Sequence, residues 1–183
     1  AWAQNITLTL WHIHTAEGAA QYTIRDAIRR FEADHPTVKS EEVPIINDEY
    51  KTKLTIAMGA NDEPDIFMTW VGGPLETYVN AGKVYDMTDA LKAEGIYDNF
   101  LPVALNLATV KDRVYGVPIV NMVTALVWYR TDIFERLGLE IPTTYGELLE
   151  VMDVLLANNI TPFTLANANK WTGSMYFMYL VDR

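Results

Sequence analysis

Three histidines, five tryptophans, 24 acidic residues and no cysteine set the chemistry open to this 183-residue chain. Without cysteine there is no disulfide framework, thiolate metal site or sulfur nucleophile. His12 and His14 lie two apart at the end of an apolar run, so a continuing strand would project both from one face, with Glu17 three residues on. That trio could hydrogen-bond a polar solute or begin a metal site. A closed metal site needs three or four ligands, and the remaining histidine, His35, precedes Pro36 at a helix end, where its ring suits the helix C-terminal dipole. A second constellation is Trp70 followed by Gly72 and Gly73, an aromatic plane beside permissive backbone. An aromatic plane offers a flat apolar surface and His, Glu or Asn fixed polar groups, so together they suit a small solute with both apolar and polar faces. Catalytic signatures are missing: there is no G-x-S-x-G elbow, H-E-x-x-H helix, P-loop or G-x-G-x-x-G turn. A carboxylate pair for glycoside hydrolysis must be judged in three dimensions, so a carbohydrate hydrolase stands as the alternative from another class.

The elements that position these residues follow from periodicity. Ile6 to Trp11 alternates as a strand, and Ile24, Ala27, Ile28 and Phe31 recur at helical spacing before Pro36. Val38 to Ile46 reads as a strand, Tyr50 to Met58 as a helix stopped by Gly59, Asp65 to Thr69 as a third strand, and Leu75 to Val79 as a helix ending at Gly82. Repeated βα units of this length imply a mostly parallel sheet covered on both faces. In such sheets ligands sit beyond the carboxyl ends of the strands, where the His12–Glu17 and Trp70–Gly73 loops fall.

Val103 to Val110, Lys111-Asp112 and Val114 to Val117 suggest a hairpin-like pairing that ends the first sheet. An extended apolar passage, Thr124 to Tyr129, then turns into a helix near Thr131 that ends at Gly138. Thr144 and Glu147 form a T-x-x-E capping box ahead of Leu148, Val151, Met152 and Leu155. A strand at Ile160 to Leu165 and a helix from Trp171 to Leu180 follow. Flanking residues favour ligand platforms at Trp70 and Trp171 but core positions for Trp11 and Trp128. Asp65 is read either as a solute ligand or as a cap on backbone amides, and Tyr115 and Tyr129 as packing residues.

Half the residues are apolar, enough for a sizeable core, and the net charge of −10 without a basic cluster argues against nucleic acid or an anionic membrane as partner. No apolar run reaches the ~20 residues of a spanning helix. Ala1-Trp2-Ala3 has the small-x-small look of a signal-cleavage tail.

Leu8-Thr9-Leu10-Trp11, Phe31-Glu32 to Pro36, Pro64-Asp65-Ile66-Phe67, Ala81-Gly82-Lys83-Val84, Tyr115-Gly116-Val117-Pro118 and Trp128-Tyr129-Arg130-Thr131-Asp132-Ile133-Phe134 together carry a family likeness. The chain resembles the extracytoplasmic solute-binding proteins of ABC importers, in the sugar-binding group that includes maltose-binding protein. The resemblance implies an α/β, two-lobed periplasmic-binding-protein-like fold with lobe one largely present and lobe two truncated. Residues 1–119 would form lobe one, 120–123 the hinge crossing and 124–183 the beginning of lobe two. It also implies a carbohydrate, expected to be an oligosaccharide, bound between lobes that close by a hinge and handed to a membrane permease. No enzyme activity and no cofactor are expected, and the setting would be the periplasm or cell surface of a bacterium. By position in the family's pattern, Asn121 or Met122 matches a contact at the crossing, and Asn169-Lys170-Trp171 a lobe-two contact region. The resulting binding set is His12, His14, Glu17, Trp70, Gly72, Asn121, Asn169 and Trp171, with no metal. Family members are roughly twice as long, so a remaining C-terminal half of the same protein is expected as a partner. A non-sugar solute such as a polyamine or metal stays open, because fold does not fix function.

Overall fold

A computed structural model describes residues 5–119, 127–168 and 170–181. The chain divides into two compact units, Ala1–Asn121 and Met122–Arg183.

The first unit is built on a parallel three-stranded sheet in the order β2-β1-β3. β1 (Ile6–His12) and β2 (Val38–Pro44) pair along their full length, from Ile6 opposite Val38 to His12 opposite Pro44. β3 (Ile66–Phe67) is shorter than the Asp65 to Thr69 expectation and pairs at Leu10 and Trp11. Its lead-in is fixed instead by side chains: Asp65 Oδ2 accepts hydrogen bonds from the Thr9 amide at 2.8 Å and the Thr9 hydroxyl at 2.9 Å. Of the two readings of Asp65, this geometry is the backbone-bonding one.

α1 (Ala19–Asp34) carries the chain from β1 to β2, and α2 (Asn47–Ala60) from β2 to β3. α2 supplies most of one core. Tyr50, Leu54 and Met58 lie on one face at i, i+4 and i+8 and are buried with Ile45, against Trp11, Val43, Phe67 and Met68 from the strands and their ends. Trp11 is therefore a core residue, as expected. Gly59 does not stop α2; the helix runs through it and ends at Asn61, whose φ of 55° supplies the left-handed turn. Asn tolerates that region because its short polar side chain bonds locally, so the helix can continue one residue, Ala60, beyond the glycine. α1 is less deeply seated, with Ile24 and Ile28 half-buried and Phe31 exposed but stacked on His35 at 4.4 Å. His35 Nδ1 meets the Phe31 carbonyl at 3.0 Å, the helix-end placement its sequence position suggested.

α3 (Gly73–Asn80) follows β3, and α4 (Thr88–Ala93) was not evident in the sequence. Val103 to Leu107 also departs from expectation, forming helix α5 (Pro102–Leu107) rather than strand. Pro102 at the first helical position presets φ, Leu105 turns into a second core with Leu91 and Val114, and the adjacent Ala104 is buried too, whereas a strand would send the two to opposite faces. The hairpin survives in reduced form as β4 (Thr109–Val110) and β5 (Arg113–Val114), joined by Lys111 and Asp112, both at positive φ. Arg113 ion-pairs with Asp86 and, at 2.6 Å, with Asp89, while the Val114 amide donates to the Thr88 hydroxyl at 2.8 Å, clasping β5 to α4.

In the second unit α6 (Thr131–Leu137) ends at Gly138 with φ 63°, and α7 (Tyr145–Ala157) begins with the expected capping box: Thr144 accepts from the Glu147 amide and Glu147 accepts from the Thr144 amide. Ile160 to Leu165 is not a strand; no partner strand is present in this unit among the described residues, and a lone extended segment gains no ladder bonds. α8 (Trp171–Val181) closes the described chain. Trp128, expected in the core, is 89% exposed. Val127 and Tyr129 beside it are exposed as well, so apolar flanking residues were the wrong guide to its burial; Thr124 to Leu126 of the same passage lie outside the described residues. No helix among the described residues is long and apolar enough to cross a membrane.

Candidate functional site

The carboxyl ends of β1 and β3 are hydrogen-bonded neighbours, and the pairing continues past the strands through the Met68 amide, which donates to the Trp11 carbonyl at 2.9 Å. The loop after β1 and the loop after β3 therefore leave the sheet side by side. His12 is the last residue of β1, His14 and Glu17 belong to the first loop, and Trp70 and Gly72 to the second. Asn121 and Asn169 lie outside the described residues, and Trp171 opens α8 in the second unit, 43% exposed.

Beneath the two loops sits Tyr50, fully buried. Its hydroxyl lies 2.7 Å from the Met68 carbonyl and 3.1 Å from the Trp11 carbonyl, so one O–H holds the ends of both strands. Burial pushes the phenol's pKa upward, and the group remains a neutral donor. The Tyr50 ring meets Trp70 edge-on at 5.9 Å, and the Lys51 ammonium lies 4.3 Å over the Trp70 ring. Trp70 is half-buried between these supports. Neither Tyr50 nor Lys51 was among the residues expected at the site. Both were read only as helical, and their contacts to Met68 and Trp70 join elements that the sequence does not place side by side. Gly72, at φ 72°, turns the chain from Trp70 into α3, and an added Cβ there would meet open space, so glycine is needed for backbone conformation rather than room.

His12 and His14 part company. His12 ends β1 at 2% exposure, with Nε2 3.1 Å from Glu42 Oε1 and Nδ1 accepting the His14 amide at 3.2 Å. Burial lowers its pKa, against the opposing pull of the Glu42 carboxylate. His14 is half-buried and Glu17 exposed. His14, Thr15, Gly18 and Gln21 line an open depression of about 310 Å³ at the start of α1. Gly18 offers α1 no side-chain cap, and Gln21, 4% exposed, donates to the His14 carbonyl at 3.4 Å while its Oε1 has no partner among the described residues. Free helix amides and an amide carbonyl suit a ligand that both accepts and donates hydrogen bonds, as a hydroxyl does. No group of three or more His, Cys, Asp or Glu among the described residues is placed to hold a metal.

A parallel sheet crossed by helices, with aromatic and polar loops at its carboxyl edge, defines the class: an α/β fold. The chain belongs to the bacterial extracellular solute-binding protein family, whose family model matches residues 15–182. It is 27% identical over 176 residues to an uncharacterized ABC transporter extracellular-binding protein of Pyrococcus horikoshii, covering 93% of this chain and 39% of that one. It is 27% identical over 157 residues to the multiple sugar-binding protein of Streptococcus mutans, covering 84% of this chain and 35% of that one. Among solved structures, a chitin oligosaccharide binding protein superposes with a TM-score of 0.78 at 27% identity, over 92% of this chain and 43% of that one. The fold is thus the α/β periplasmic-binding-protein-like fold, and the chain spans well under half the length of these relatives.

Proposed function

We propose that this chain is the N-terminal part of an extracytoplasmic receptor that binds a carbohydrate, most simply an oligosaccharide, and delivers it to an ABC importer without chemical turnover. The observation that carries the reading is Trp70: an indole held half-exposed beside a polar loop, oriented by the edge of Tyr50 and with Lys51 over one face. The opposite indole face is the one a pyranose ring would stack on, while His14, Glu17 and the start of α1 meet its hydroxyls. Family membership and the sugar-binding relatives support the same ligand class.

In this reading residues 1–119 form one lobe, 120–123 cross to the other, and 124–183 begin a second lobe that a further segment of the protein completes. Asn121, Asn169 and Trp171 are proposed to meet the ligand from the crossing and the second lobe. Ligand contacts on both lobes stabilise the closed form by their differential affinity, and shifting such a balance from 1:99 to 99:1 takes about 5.5 kcal/mol. The setting would be the periplasm or cell surface, where the closed form meets the permease. Titration of the full-length protein with oligosaccharides tests this: saturable binding with the sugar recovered unchanged is expected, and the appearance of new reducing ends would favour a hydrolase instead.

A further inference from the structure

His12 was expected as a ligand contact; it ends β1 at 2% exposure with both ring nitrogens engaged. Its Nδ1 accepts the His14 amide at 3.2 Å, so that nitrogen must carry a lone pair. The proton then sits on Nε2 and is donated to Glu42 Oε1 at 3.1 Å. Glu42 is anchored in turn: its Oε2 accepts Arg25 Nε at 2.9 Å, which ties β2 to α1 around the ring. On the far side of the loop, the Gln21 side chain of α1 holds the His14 carbonyl. The amide and the carbonyl of His14 are thus each fixed, one by His12 and one by Gln21. The titratable and charged groups acting on His12 are Glu42 from β2, Arg25 from α1 and His14 from the loop. β3, the other neighbour of β1, brings Ile66 and Phe67, and Asp65 ahead of it is engaged by Thr9.

We propose that His12 is the positioning residue of the ligand loop: as a neutral imidazole anchored through Glu42 and Arg25, it holds the His14 amide, and its protonation releases the loop and weakens carbohydrate binding. The reason is geometric. A proton added at Nδ1 faces the His14 N–H, so two donors meet and the bond is lost. The carbohydrate part of this inference rests on the function proposed above.

The full-length protein is titrated with its oligosaccharide across acid to neutral pH, as wild type and as His12→Asn, whose side-chain oxygen can accept the His14 amide without titrating in this range. Expected in the wild type is an affinity that is constant at neutral pH and falls in acid, approaching about tenfold per pH unit for a single linked proton. His12→Asn, whatever its affinity at neutral pH, is expected to lose that acid dependence. An unchanged acid dependence in His12→Asn assigns the titration elsewhere, His14 included, and overturns the proposal. In parallel, nitrogen-15 spectra of the unliganded wild type report the His12 tautomer, and exchange of the His14 amide reports the anchor. An Nδ1–H tautomer at neutral pH, or a His14 amide whose protection does not change as His12 protonates, also overturns it. These two spectra need neither ligand nor variant. Failure of every oligosaccharide to bind would remove the carbohydrate reading, while the spectra still decide whether His12 anchors the loop.

Discussion

The Tyr50 hydroxyl lies 2.7 Å from the Met68 carbonyl oxygen, from a side chain with no solvent exposure. That bond joins α2, whose inner face builds one core of the first unit, to the first residue of the loop that carries Trp70. Packing and site geometry therefore meet in a single residue.

Tyr50→Phe is expected to cost about 1–3 kcal/mol, the range for leaving a buried acceptor without its donor. Denaturant unfolding checks this: the midpoint should fall at an unchanged m-value. An unaltered midpoint would mean that the Met68 carbonyl finds another partner.

Trp70→Ala is expected to weaken carbohydrate binding more than tenfold, about 1.4 kcal/mol or more, with a normal far-ultraviolet spectrum. Trp70→Phe should recover part of the loss, because a smaller aromatic face remains. Unchanged affinity in the folded Ala variant would return Trp70 to a purely packing role.

Gly138 ends α6 at φ 63° and ψ 34°, and the Leu139 amide closes back on the Phe134 carbonyl at 2.9 Å. An added Cβ there meets no atom within 4 Å. Gly138→Ala should therefore cost only the backbone penalty, about 1–2 kcal/mol, read as a lower thermal midpoint.

Acid stability should depend on Asp86. The Arg113 guanidinium holds its pKa down to about 2, against an ordinary 3.8. A carboxylate with a depressed folded pKa stabilises the fold fully above its unfolded value, and that stabilisation is lost as pH falls from 3.8 toward 2. Asp86→Asn removes this contribution. The stability gap between wild type and variant, measured by unfolding at successive pH values, should narrow through that window, and a constant gap would contradict the assignment.

The parallel sheet was legible because its strands and helices carry strong, opposed periodicities, and the Thr144–Glu147 capping box because its chemistry is local. Val103 to Leu107 was not, since a short apolar run reads equally as strand or buried helix, and the tertiary contact of Leu105 with Leu91 and Val114 decided it. At the site, loop position after β1 and β3 was readable, but direction was not. His12 and His14 look equivalent in sequence. Burial against Glu42 separates them, and that partner lies thirty residues away. Tyr50 and Lys51 were invisible as site residues for the same reason: their contacts to Met68 and Trp70 cross between elements.

The central claim is a carbohydrate bound at the Trp70 and His14 loops. Calorimetric titration of the full-length protein against a panel of oligosaccharides, with polyamines and zinc as controls, tests it most directly. Saturable binding of at least one oligosaccharide, lost or weakened more than tenfold in Trp70→Ala, is the expected result. Binding of a polyamine or zinc with none of any oligosaccharide would contradict it.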